Sequence, residues 1–263
     1  MTDSCSRLVR LLLAIVVVLV CGCTGETDGP LENTVEQTYN FPLGGELTVR
    51  NAEGSIRIYG SNHPGMQLIA VKKAYSHERL NKIEIKVLAD AGATKIETIF
   101  PPKKGGWGFG DRSGTVDYII VVPDSTRIRN LEVTNGEIVV DGLRGGSARA
   151  RLITGRMFSH NCFGDLDFAV TRGRLDFFYD WWEPQIFAVE GAIENGNINL
   201  YIPPGSSFNV DAEAMDGDIL DYFGETNERR EDGTRLKATF GSGSGPSFRI
   251  RTADGDIHFE KAY

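Results

Sequence analysis

Asn135-Gly136-Glu137-Ile138 and Asn195-Gly196-Asn197-Ile198 are copies of one short pattern: a polar or turn residue, glycine, a polar residue and an aliphatic one. The pattern recurs as Glu53-Gly54-Ser55-Ile56, Thr154-Gly155-Arg156-Met157, Arg172-Gly173-Arg174-Leu175, Asp216-Gly217-Asp218-Ile219 and Asp254-Gly255-Asp256-Ile257. In a chain of 263 residues with 31 glycines, a glycine-x-aliphatic triplet alone recurs by chance, so the reading rests on register. The residue three before the glycine is apolar in Val133, Leu152, Val170, Ile193 and Ala214, and the one four after it is apolar in Ile58, Val140, Phe177, Leu200 and Phe259.

Glycine supplies a positive φ at no steric cost, which lets an extended chain turn a corner. The polar residue after it then faces water and the aliphatic residue two after it points inward, because side chains alternate along a strand. From Gly136 the glycines are 19, 18, 23, 21 and 38 residues apart, and the last interval reads as two coils of 19 with the middle motif lost near Leu236. A period near 20 with one strand-turn-strand unit per repeat is the mark of stacked coils, each burying its apolar face only against its neighbours. Thr154, Arg172 and Met157 depart from the pattern, so irregular rungs are expected between 150 and 180.

Outward from the repeat, short alternating segments continue the strand signal: Leu47-Thr-Val49, Ile56-Arg-Ile58, Leu68 to Val71, Ile96 to Phe100 and Tyr118 to Val122. Only Ser76 to Leu88 competes as a helix, and Ile83, Ile85 and Val87 favour strand in its second half. The expected architecture is all-β: a stacked-coil β-solenoid, single-stranded and β-helix-like, over 41–263, with its coils mainly at 131–259 and an N-terminal strand meander before them. The segments Leu47-Thr-Val-Arg-Asn-Ala-Glu-Gly-Ser-Ile-Arg-Ile58, Val116-Asp-Tyr-Ile-Ile-Val-Val-Pro123 and Gly243-Ser-Gly-Pro-Ser-Phe-Arg-Ile-Arg-Thr-Ala-Asp-Gly-Asp-Ile257, with the serial glycine corners, resemble the bacterial putative-adhesin domain family. That resemblance implies stacked β-coils and an envelope location, and it brings no catalytic or binding residues with it.

The N-terminus shows a second pattern: Arg7 and Arg10, the apolar run Leu11 to Val20, then Val20-Cys21-Gly22-Cys23. This is the layout of an export signal, and the run is short of the roughly 20 apolar residues that a spanning helix needs. The tetrad resembles the lipobox of bacterial lipoproteins, with cleavage after Gly22 and acylation of Cys23; Cys21 is the poorer candidate because bulky Val20 precedes it. The domain boundaries expected are 1–22 as signal, 23–40 as a lipidated flexible tether and 41–263 as the folded part. Two or more acyl chains, as mature bacterial lipoproteins carry by resemblance, would hold the protein at a membrane. Thr24 stands where a retention Asp would keep a lipoprotein in the inner membrane, which favours the outer membrane in a Gram-negative cell.

Cys5 and Cys21 would leave with the signal and Cys23 would be acylated, so Cys162 alone remains and no internal disulfide can form. Removing the signal, with Arg7, Arg10 and Asp3, takes the formal charge from −8 to −9. An acidic body argues against nucleic acid as a partner.

The densest aromatic run, Phe177-Phe178-Tyr179-Asp180-Trp181-Trp182, reads either as coil filling or as a platform for a sugar or a partner protein, with Tyr179, Trp181 and Trp182 as its surface residues. Trp107, beside Phe109 in a glycine-rich segment, is a further candidate, although that segment lacks phosphate-loop spacing. Asp216, Asp218, Asp221, Asp254 and Asp256 could ligate calcium, yet turn chemistry accounts for Asp beside Gly, and His160-x-Cys162 is a lone pair without metal spacing. No metal or other cofactor is expected.

No nucleophile elbow is present, so the expectation is a non-catalytic envelope protein displaying a surface to an envelope protein or polysaccharide. The alternatives are a carbohydrate-active β-helix enzyme or sugar-binding module using acids on one face, and a scaffold or sensor partner of an envelope-stress system.

Overall fold

The protein was analysed as a computed structural model that describes residues 29–90, 92–102, 113–223 and 234–263. The described residues are all-β apart from one short helix. The strands are β1 (Leu31–Tyr39), β2 (Glu46–Ser61), β3 (Met66–Ala74), β4 (Glu84–Asp90), β5 (Ala93–Ile99), β6 (Thr115–Pro123), β7 (Arg127–Asp141) and β8 (Arg144–His160). They continue with β9 (Phe163–Phe178), β10 (Ala188–Ile202), β11 (Phe208–Asp216), β12 (Ile219–Asp221), β13 (Arg235–Phe240), β14 (Ser247–Asp254) and β15 (Ile257–Lys261). Helix α1 (His77–Lys82) is capped by the Ser76 hydroxyl, which accepts from the Arg79 amide, and β4 follows it as the Ile83–Val87 alternation predicts. No helix among the described residues is long and apolar enough to cross a membrane.

The strands form one open sheet in the order β1-β3-β6-β2-β7-β8-β9-β10-β14-β11-β13. From β2 to β10 the long strands are parallel and the glycines lie in register, Gly54 beside Gly136, then Gly155, Gly173 and Gly196. Each of these strands passes through its glycine at a φ between +116° and +146°, which only glycine adopts without strain. The rungs between 150 and 180, expected to be irregular, keep one register from Ser147–Asp165 to His160–Phe178, with the ladder skipping Ile153–Thr171. Thr154 and Arg172 fit because the position before the glycine points outward, where the pattern sets no size limit.

Two further expectations are corrected. The interval from Gly217 to Gly255 does not hold a lost coil: β14 and β15 insert between β10 and the strands β11 and β12, so Gly255 stacks on Gly196 and Gly217 on Gly255. Leu236 lies in β13, which runs antiparallel to β11. The tether expected over 23–40 is cut short, because Leu31–Tyr39 is a strand paired antiparallel with β3 through all nine residues. Only Leu31, Val35 and Tyr39 of β1 are half-buried, too sparse a pattern to read as a strand when the partner lies some 35 residues further on.

The meander before the coils flanks β2 on the side away from β7: β5 pairs with its first half and β6 with its second, both parallel. Core positions fall where the pattern puts them, with Ile56, Ile138, Met157, Leu175, Ile198, Ile219 and Ile257 all buried two residues after a glycine. The two repeats with a polar residue three before the glycine are explained by hydrogen bonds. Asn51 Nδ2 donates to the Val116 carbonyl at 2.7 Å and Thr252 Oγ1 to the Gly196 carbonyl at 3.2 Å, while Asn51 Oδ1 is buried without a hydrogen-bond partner among the described residues.

Cys162 is buried, and burial pushes its thiol up to about 11. At pH 8 that leaves on the order of one thiol in a thousand ionised, in a place no reagent reaches. Peptide mapping after brief maleimide treatment is therefore expected to find Cys162 unmodified in the native protein and fully modified in urea. Equal modification in both conditions would contradict the packing.

Candidate interaction surface

Each long strand shows water one face before its glycine and another after it. On the first face, the outward residues four before the glycine form a row across β8, β9, β10, β14 and β11: Arg151, Ala169, Ala192, Arg251 and Glu213. Two residues further along lie Ile153, Thr171, Glu194, Ala253 and Met215. Where other rungs place long charged side chains such as Arg50 and Glu132, Ala169 and Ala192 leave a depression. The result is an open groove of about 470 Å³, lined by both rows and floored by apolar atoms. At its two ends Ile153 is 50% and Met215 76% exposed.

The arginines of the groove are spoken for. Arg151 donates to both Asp167 carboxylate oxygens at 2.9 Å and to the Asp167 carbonyl at 2.8 Å. Burial would raise the Asp167 carboxyl, but the hydrogen bonds from Arg151 and Arg149 outweigh it and hold the group below its usual value. Arg251 pairs with Asp211 at 3.1 Å and with Glu213 at 3.3 Å, and Glu213 also takes Arg235 at 3.2 Å. Glu194, exposed on the margin of the floor, forms no ion pair among the described residues.

The second face is closed on itself. Phe158 and His160 of β8 stack with centroids 5.9 Å apart, and tilted contacts carry the row on to Phe178 at 5.7 Å and Tyr201 at 5.3 Å. His160 sits between two carboxylates, Nδ1 at 3.1 Å from Asp141 and Nε2 at 2.8 Å from Asp180. The Asn161 amide donates to Asp180 and, with His160, holds that carboxyl below the usual range. Beside them Asp176, 1% exposed, accepts from Arg156, Arg174 and Asn199 at 3.0, 2.6 and 2.7 Å.

The aromatic run singled out in the sequence is divided by the pleat. Phe177 and Tyr179 point into the core, so Tyr179, at 1% exposure, is not a surface residue. Its ring packs in the core beside Phe163, Trp182 and Phe248, because alternation places 177 and 179 on the same inward side. Trp182 is half-buried against Tyr179, Phe208 and Phe248. Trp181 alone is exposed, at 43%, held by Arg144 over its ring and by an Nε1–H bond to Glu183 at 2.9 Å. Trp107, Gly22 and Cys23 lie outside the described residues.

The corner acids serve turn chemistry. Asp256 accepts from the Asp218 amide at 2.9 Å, and Asn197 from the Asp256 amide at 3.0 Å, a ladder from one rung to the next. No cluster of three or more His, Cys, Asp or Glu side chains suited to a metal ion occurs among the described residues. The groove residues were missed in the sequence, yet a signal was present. Aligned on the glycines, the position four before reads Arg, Glu, Arg, Ala, Ala, Glu, Arg in chain order, and the adjacent alanines mark the depression.

No family model and no curated protein sequence matches the chain. Among solved structures it is similar to a putative cell adhesion protein from Clostridium sporogenes, at 17% identity and a TM-score of 0.51, over 88% of this chain and 99% of that one. A putative adhesin from Bacteroides fragilis aligns at 6% identity and a TM-score of 0.23, over 86% and 97% of the two chains. A putative lipid binding protein from Parabacteroides distasonis aligns at 10% and 0.27, over 88% and 94%. What the chain shares with the clostridial adhesion protein is its all-β fold.

Proposed function

We propose that this chain is a non-catalytic, lipid-anchored envelope protein that displays the groove of its first face to a partner, in the manner expected of the putative-adhesin family. The observation that carries the reading is the groove itself: an exposed apolar depression on a rigid parallel ladder, with a lining that contains no His, Cys, Ser or Lys. Its carboxylate Glu213 is occupied by two arginines, which leaves Glu194 without a second free acid to work with.

The ladder is wound as a β-solenoid. Parallel neighbours 18 or 19 residues apart are joined by as little as Asn161-Cys162 between β8 and β9, so the chain returns to its starting edge only if the strand itself bends round the coil. The left-handed φ of +48° at Asn161 and the +139° of Gly155 give two of the bends.

The lipobox reading of Gly22-Cys23 supplies the anchor, acylation of Cys23, and Thr24 favours the outer membrane. Residues 24–30 then link the lipid to β1. Expressed at full length, the wild-type protein is expected to sediment with membranes and to label with palmitate, while Cys23→Ser should stay folded and leave the membrane fraction. Retention of Cys23→Ser on membranes would overturn the anchor.

A further inference from the structure

We infer that the groove on the first face takes an extended, apolar peptide segment of a partner protein that carries one positive charge. This rests on the display reading above and specifies its ligand. Every cation of the groove is already matched: Arg151 by Asp167, and Arg251 by Asp211 and Glu213. An anionic ligand, whether an acidic peptide or a fatty acid, finds no free guanidinium there and meets the uncompensated Glu194 carboxylate.

A cationic side chain lying on the alanine floor meets Glu194 as its partner. The field beyond the groove points the same way, since the chain carries a formal −8. That charge speeds the approach of cations and repels anions.

The spacing sets the length. Ile153 and Met215 stand four strands apart, roughly 19 Å at the usual separation of neighbouring strands, and Glu194 is on the middle strand. An extended chain covers that distance in about six residue steps. Apolar side chains at the two ends of such a segment would rest on Ile153 and Met215, with the basic side chain between them.

The test uses full-length protein extracted from membranes and a capped heptapeptide with leucine at both ends, lysine at the third position, which shares their face in an extended chain, and threonine elsewhere; its twin carries glutamate at the third position. Binding is read by calorimetry. The lysine peptide is expected to bind at least about tenfold tighter than its twin, since a charge-assisted hydrogen bond contributes that much, and to weaken as salt rises.

Ala192→Trp should abolish binding by filling the floor. Glu194→Gln, which keeps shape and fold, should erase the preference for lysine. If the glutamate twin binds as well as the lysine peptide and Ala192→Trp blocks both, the groove is a docking site and the charge inference is wrong. If neither peptide binds, or both bind Ala192→Trp as they bind the wild type, the groove reading falls with it.

Discussion

Gly155→Ala is expected to cost about 4 kcal/mol or more, at the extreme of single substitutions, and to leave little folded protein at 37 °C. Two penalties combine. At φ +139° an alanine is strained wherever it points, and a Cβ built there lies 1.8 Å from the Gly136 carbonyl oxygen, a backbone atom that cannot swing aside. Gly173 then meets the carbonyl of Gly155 at the same 1.8 Å, so displacing one rung disturbs the next. Gly92 separates the two terms: its φ is +130°, close to that of Gly155, with nothing within 4 Å of its Cβ position. Gly92→Ala should therefore cost only the backbone penalty, about 1 to 3 kcal/mol. Urea unfolding of both variants measures the difference, and equal losses would mean that the glycine column is set by backbone angle alone.

That column also explains how much of the fold was legible. Glycine, a polar neighbour and an aliphatic residue recur because separate demands meet at the corner: no Cβ against the next carbonyl, a side chain that faces water and at Asn197 and Asp256 also accepts the next rung's amide, and an apolar group for the interior. The periodicity therefore predicted strand content and inward positions such as Leu152 and Ile198. Chain order was not legible. The insertion of β14 and β15 between β10 and its expected neighbours leaves every local pattern unchanged, because a parallel rung presents the same two edges whichever rung pairs with it. The strand β1 escaped for a related reason, its pairing being fixed by distant β3 rather than by its own alternation.

For the site, side-chain richness misled and register would have served. The run from Phe177 to Trp182 drew attention by its ring content, yet Phe177, Tyr179 and most of Trp182 fill the interior. Ala169 and Ala192 drew none, although an absence of bulk on an outward row is what makes a groove. Glu194 gains its meaning only from the pairing of Arg151 and Arg251 with other acids, which depends on contacts across strands.

Asp176→Ala is expected to destabilise by about 2 to 3 kcal/mol, less than the 3 to 5 typical of breaking a fully buried ion pair. The carboxylate is 1% exposed, but its two guanidiniums, on Arg156 and Arg174, are half-exposed and can turn to water when it is removed. What cannot escape is Asn199, buried at 6% exposure, whose amide loses its acceptor. Asp176→Asn keeps one acceptor oxygen and the volume, so it should lose less than the alanine variant. Because Arg156, Arg174 and Asn199 belong to β8, β9 and β10, Asp176 ties together the same three strands whose opposite halves carry Arg151, Ala169 and Ala192. Its removal should therefore lower the urea midpoint while leaving the affinity of the groove for the lysine peptide unchanged in buffer, where the rungs remain paired. An Asp176→Ala protein as stable as wild type would show that the backbone ladder alone sets the cohesion of these rungs. A stable variant with weakened peptide binding would instead make Asp176 a positioning residue for the groove.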